Sequence, residues 1–129
     1  MAKEFFRTVP GVPAPMGPYS LGVKVTGTLV LLAGQIGTDP ETGQLAPGGV
    51  EAQARQTFRN IQRVLEATGS SLDQVVKLTV FLTDMRDLPT VAAVRREFWQ
   101  GPHPVSTTVQ VSQLPHPEAV IEVEAVAIA

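Results

Sequence analysis

Apolar and polar positions alternate most cleanly between Val75 and Thr83. There Val76, Leu78, Val80 and Leu82 fall on one side and Lys77, Thr79, Phe81 and Thr83 on the other, the period of a strand with unlike faces. Upstream the period changes. Val50, Ala54, Phe58, Ile61 and Leu65 recur every three or four residues, with Arg55, Arg59, Asn60, Gln62 and Arg63 on the remaining faces, which predicts an amphipathic helix over Val50–Thr68 closed by Gly69. A second helix is expected from Leu88, Val91, Arg95 and Phe98, with Asp87 as its cap and Pro89 in its first turn. It stops at Gly101-Pro102-His103-Pro104.

Shorter apolar runs complete the order. Glu4–Val9 is a brief first strand, halted by a loop holding Pro10, Gly11, Pro13, Pro15, Gly17 and Pro18. Ser20–Val25 and Leu29–Ile36 suit strands, and Thr26-Gly27 between them suits a tight hairpin turn. Leu29 to Ala33 is apolar on both faces, as in a strand covered on both sides. Ser106–Val111 and Val120–Ala129 end the chain. The order β-β-β-α-β-α-β-β predicts a two-layer α+β domain over residues 1–129, its helices covering one sheet face. The other face must meet a partner or water.

Composition narrows the chemistry. The chain has 129 residues, 43% of them hydrophobic, and no cysteine, so disulfides, thiolate metal sites and thiol nucleophiles are excluded. Ten Lys and Arg against twelve Asp and Glu leave a net charge of -2 with no basic block, which argues against nucleic acid as a partner. No apolar run nears the roughly 20 residues of a membrane span, and the first residues lack a signal peptide's apolar segment. A cytoplasmic protein without membrane contact is expected.

Four segments together resemble the RidA/YjgF family: Gly17-Pro18-Tyr19-Ser20, then Ala33-Gly34-Gln35-Ile36 with Asp39-Pro40-Glu41-Thr42-Gly43, then Lys77 to Met85, and finally Ile121 to Ala127. The resemblance implies a chorismate-mutase-like fold assembled as a homotrimer with small-molecule pockets in the clefts between subunits. It implies hydrolysis of reactive imines and enamines to carbonyl product and ammonia, without metal or cofactor. Glu122 is implied as the catalytic carboxylate, and Tyr19, Gly34, Gln35, Ser106 and Thr107 as substrate-binding residues. One position departs from the family. Its carboxylate-binding arginine belongs to a Pro-x-Arg-Ser/Thr motif, and the matching stretch here is Pro104-Val105-Ser106-Thr107. Loss of that cation removes an interaction on the order of 2–5 kcal/mol for a bound carboxylate. Ala92 likewise stands where an asparagine is usual. The expectation is therefore a RidA-like hydrolase without typical 2-imino acid specificity, with a non-catalytic, metabolite-binding trimer as the alternative.

Single residues carry their own alternatives. Tyr19 either donates its hydroxyl into a cleft or packs over its loop. Glu122 and Glu124 project from one strand face, where a solvated face is the ordinary outcome and the resemblance singles out Glu122. Ser106, Thr108 and Gln110 form a polar stripe that binds a ligand or a neighbouring subunit. His103 and His116 read as surface-loop residues, and Arg55, Arg59 and Arg63 as a solvated helix face. Trp99 is expected in the core or at an edge.

Overall fold

A computed structural model describes residues 2–129. In chain order it contains β1 (Lys3–Phe6), β2 (Gly22–Val25), β3 (Leu29–Gln35), α1 (Gly49–Ala67), β4 (Val75–Leu82), α2 (Leu88–Phe98), β5 (Val105–Gln110) and β6 (Ile121–Ile128), with short 3₁₀ turns at Leu72–Gln74 and Met85–Asp87. The element order and types match the sequence pattern throughout. The main sheet runs β3-β6-β4-β5, and β1 and β2 form a separate two-stranded sheet.

β6 lies antiparallel to both β3 and β4, and β4 and β5 are parallel. Parallel neighbours need a crossover, and α2 supplies it. The alternation of β4 places Leu78, Val80 and Leu82 beneath the helices, where they join Phe58, Ile61 and Leu65 of α1 and Ile121, Val123, Ala125 and Ala127 of β6 in one core. Where the register of β4 shifts between Val75 and Lys77, Val75 takes the core place that the alternation assigned to Val76, which is buried outside this cluster. Trp99 closes this core edge-on against Phe58, ring centroids 5.4 Å apart, and its indole N–H donates to the Leu72 carbonyl at 2.9 Å. Arg55 is no idle member of a solvated stripe, because its Nε and Nη2 donate to both carboxylate oxygens of Glu97 and so tie α1 to α2.

Three expectations need correction. Thr26-Gly27 does not turn a β2–β3 hairpin: β2 pairs with β1, and Gly27, at φ 127°, carries the chain from one sheet to the other. The turn residues are local, but the apolar positions Val30 and Leu32 find their cover beside Ala127 and Ala125 of β6, and that match decides the pairing. Asp87 occupies the helix cap without a side-chain bond; Asp84 instead accepts from the Arg86 amide at 2.9 Å, one turn earlier. Within one chain, β3 is covered on the helix side only. Leu29 and Leu31 stand 55% and 72% exposed on the opposite face.

Candidate functional site

The proline-rich loop is held by two sets of bonds. Arg7 donates to the carbonyls of Gly17 and Tyr19, and Ser20 bonds the loop after α2 twice, through its amide to Pro104 O at 3.1 Å and its hydroxyl to His103 O at 2.6 Å. Tyr19 is thereby delivered to the edge of β5. Its phenol oxygen accepts from the Met16 amide at 3.3 Å and keeps its own proton to donate. Between this loop, α2 and β5 lies a cavity of about 630 Å³, the size of a small-molecule site. Tyr19, Arg95, Ser106 and Thr108 bring the polar groups to its wall, while Val80, Leu88, Val91 and Ala92 bring the apolar surface.

Ser106 pairs in register with Leu78, so both face the helices; Thr107 pairs with Thr79 and turns to the other face, although it too borders the cavity. The polar stripe of β5 divides accordingly. Ser106 and Thr108 serve the cavity, and Gln110 is engaged elsewhere, its side-chain oxygen accepting from the Met85 amide at 2.7 Å.

The remaining expected residues lie apart. Glu122 is opposite Phe81 on β6, Ser106 opposite Leu78 on β5. Two strand spacings and three residues of rise separate their backbones by about 14 Å, and their side chains leave opposite faces of the sheet. Gly34 sits directly against Glu122: a Cβ there would lie 2.9 Å from Cδ and 3.1 Å from Cγ of that glutamate. The strand bulges at this point, the three steps along β3 from Leu32 to Gln35 matching two along β6 from Ala125 to Val123. Bulges of this kind re-aim side chains. Thus Tyr19 and Ser106 meet within one chain, as do Gly34 and Glu122, but the two pairs do not meet each other; Gln35 lies opposite Val123, on the face away from Glu122.

Arg95 escaped the sequence reading as a functional residue. It is 5% exposed and donates from Nη1 to Ser106 Oγ at 2.8 Å, so the position read as having lost its cation has one, supplied from α2. The signal was a charge within the apolar stripe of Leu88, Val91 and Phe98. Burial, with Arg96 adding repulsion, pushes the Arg95 guanidinium down to about 10. Nearby, His103 is half-buried rather than free on the surface, and its Nδ1 has no hydrogen-bond partner. Burial and then the charges of Arg95, Arg7 and Arg96 lower its pKa. His116 shapes its own loop by accepting the Glu118 amide at Nδ1, 3.1 Å. Among the described residues no group of three or more His, Asp or Glu gathers in a way that could hold a metal, and no helix is long and apolar enough to cross a membrane.

Residues 11–129 match the family described as Endoribonuclease L-PSP. The chain is 43% identical over 116 residues to the 2-iminobutanoate/2-iminopropanoate deaminase of Mus musculus, covering 90% of this chain and 84% of that one. Among solved structures it is similar to RidA from the Antarctic bacterium Psychrobacter sp., with TM-score 0.76, 40% identity, and 98% and 100% of the two chains covered. It is also similar to E. coli TdcF with bound serine, with TM-score 0.75, 34% identity, and 98% and 99% covered. With the family match extending over all but the first ten residues and the α+β fold shared with these structures, the chain belongs to the RidA/YjgF family, the Endoribonuclease L-PSP family by its other description.

Proposed function

We propose that the protein is a single-domain cytoplasmic homotrimer that hydrolyses reactive imines and enamines to carbonyl product and ammonia in clefts between its subunits. The observation that carries this reading is the division of the candidate site. Tyr19 and Ser106 border a cavity at the β5 edge, Glu122 lies about 14 Å from Ser106 on the opposite face with Gly34 against it, and that face exposes Leu29, Leu31 and Val109. A ring of copies in head-to-tail contact would cover the apolar face and bring Glu122 of one subunit to the cavity of the next. The deaminase names of the relatives support the chemistry.

In that cleft Glu122 takes a proton from water as the water oxygen bonds to the imine carbon and the C=N π pair moves to nitrogen. That proton passes on to the nitrogen to give a carbinolamine; the carboxylate then takes the hydroxyl proton and delivers it to the amino group, so that ammonia leaves with the C–N electron pair as the carbonyl forms. Enamines enter through their imine tautomers. The backbone around Gly34 and Gln35, together with Tyr19, closes the space around the reacting carbon.

Freshly generated 2-iminopropanoate, followed by ammonia release, tests the reading. Wild-type protein is expected to accelerate hydrolysis, and Glu122→Gln to lower kcat on the order of 100-fold or more. Absence of turnover on this imine and on a neutral imine contradicts it. That result would leave small-molecule binding alone, the reading that the serine bound to TdcF favours.

A further inference from the structure

The face that α2 turns to the sheet carries one buried cation. Arg95 is 5% exposed and lies among Val91, Val94 and Trp99 in the core. Among the described residues it forms no ion pair. Nη1 has Ser106 as acceptor, but Nε and Nη2 are both shielded from solvent with no partner at all. A desolvated cation lacking both counter-ion and acceptor is among the least favourable arrangements a core can hold.

Arg55 shows what is missing. Its own Nε and Nη2 donate to Oε1 and Oε2 of Glu97 at 2.9 and 2.7 Å, the side-on fork that takes both oxygens of one carboxylate. The same edge of Arg95 is vacant, on a residue that lines the cavity beside Tyr19 and Thr108. A neutral amide would satisfy one N–H and leave the charge. A carboxylate satisfies both and neutralises it.

We propose that Arg95 is the carboxylate anchor of this site, binding a small 2-oxo or 2-imino acid through its Nε/Nη2 edge while Ser106 holds the guanidinium from the strand side through Nη1. Arg95 is then a binding residue and Ser106 a positioning residue, so the motif's arginine has been exchanged for a serine that orients a helix-borne one. Because the edge is shielded when empty, the guanidinium rotates toward the cavity to receive its ligand, pivoting on the Ser106 bond. The apolar wall of Val80, Leu88, Val91 and Ala92 suits a short aliphatic substituent. The inference rests on imine hydrolysis for the identity of the arriving molecule, and it restores the carboxylate-bearing substrates that Ser106 alone argued against.

Titration of the full chain with pyruvate by calorimetry, beside turnover of 2-iminopropanoate, tests it. Arg95→Met is expected to weaken pyruvate binding on the order of 100-fold, Arg95→Lys by less since charge remains without the fork, and pyruvamide binding to change less than about threefold between wild type and Arg95→Met. Arg95→Met with Ser106→Arg is expected to regain pyruvate affinity, because the guanidinium returns from the strand. Unchanged pyruvate affinity in Arg95→Met overturns the anchor even where imine turnover is found. Pyruvate binding lost in Arg95→Met, without turnover by wild type, sustains the anchor and removes the hydrolase reading. A pyruvate-soaked wild-type crystal gives a readout free of any variant: carboxylate oxygens within about 3.2 Å of Nε and Nη2 support the assignment, and a carboxylate placed elsewhere overturns it.

Discussion

Among the glycines, Gly37 alone has backbone atoms within 3.0 Å of where a Cβ would stand. It is buried, its φ is not in the left-handed region, and an added Cβ would sit 2.6 Å from the carbonyl oxygen, 2.7 Å from Cα and 3.0 Å from the carbonyl carbon of Gln53. These are backbone atoms in α1, so no rotamer change relieves the contact and the helix itself must move. Gln53 anchors that helix to the approach of β6, its Nε2 donating to Glu118 O at 3.2 Å and its Oε1 accepting from the Val120 amide at 2.9 Å. Overpacking against backbone costs about 3 kcal/mol, the upper part of the usual range, a large share of a typical domain's stability. For a chain of 129 residues this corresponds to a fall in Tm of roughly 10 °C. Circular dichroism melts of Gly37→Ala at fixed protein concentration measure it. Gly22→Ala, with no atom within 4 Å of its Cβ, is the control expected to melt near wild type. A Gly37→Ala melt within about 2 °C of wild type would refute the steric argument.

Gly34→Ala makes the complementary case. Its Cβ meets only the movable end of Glu122, so stability should hold while kcat for imine hydrolysis drops on the order of 100-fold as the carboxylate is displaced; unchanged kcat would show that the position of Glu122 does not matter. Leu31→Glu, at a site 72% exposed in the single chain, should leave that chain's folding intact and yield monomers by light scattering, because a subunit contact there would bury the charge. Trimers of undiminished stability would place the contact elsewhere. His103 has its pKa lowered below 6.5 by burial and by Arg95, Arg7 and Arg96. Below pH 6.5 the unfolded chain therefore binds a proton that the folded one resists, and stability falls as pH falls from there toward the lowered value. His103→Gln should flatten that part of the stability profile, measured by urea denaturation, and an unaltered slope would assign it to other groups.

The strands and helices were legible because each follows one period: two for β4, three to four for α1. The amphipathic stripe of α1 also foretold which residues reach the core. Pairing was harder to read. Thr26-Gly27 marks a turn, but whether β2 folds onto β3 or onto β1 depends on a non-local match with β6. Glu122, Gly34 and Gln35 came from the family likeness, and the bulge that sets Gly34 against Glu122 leaves no trace in the apolar pattern. Arg95 was visible as a charge at an apolar position. Its meaning required knowing that the crossover lays α2 over β5 with Ser106 facing inward, a three-dimensional fact the spacing of eleven residues does not contain.

The division of the site between neighbouring subunits is tested most directly by mixing variants. Glu122→Gln and Arg95→Met each remove one half of the cleft. Co-refolded in equal amounts, they should recover about a quarter of wild-type turnover, since random assembly into a head-to-tail ring places an intact Arg95 beside an intact Glu122 from the next subunit at one cleft in four. Turnover that stays at the level of the separate variants would contradict a shared cleft and confine the chemistry to one chain.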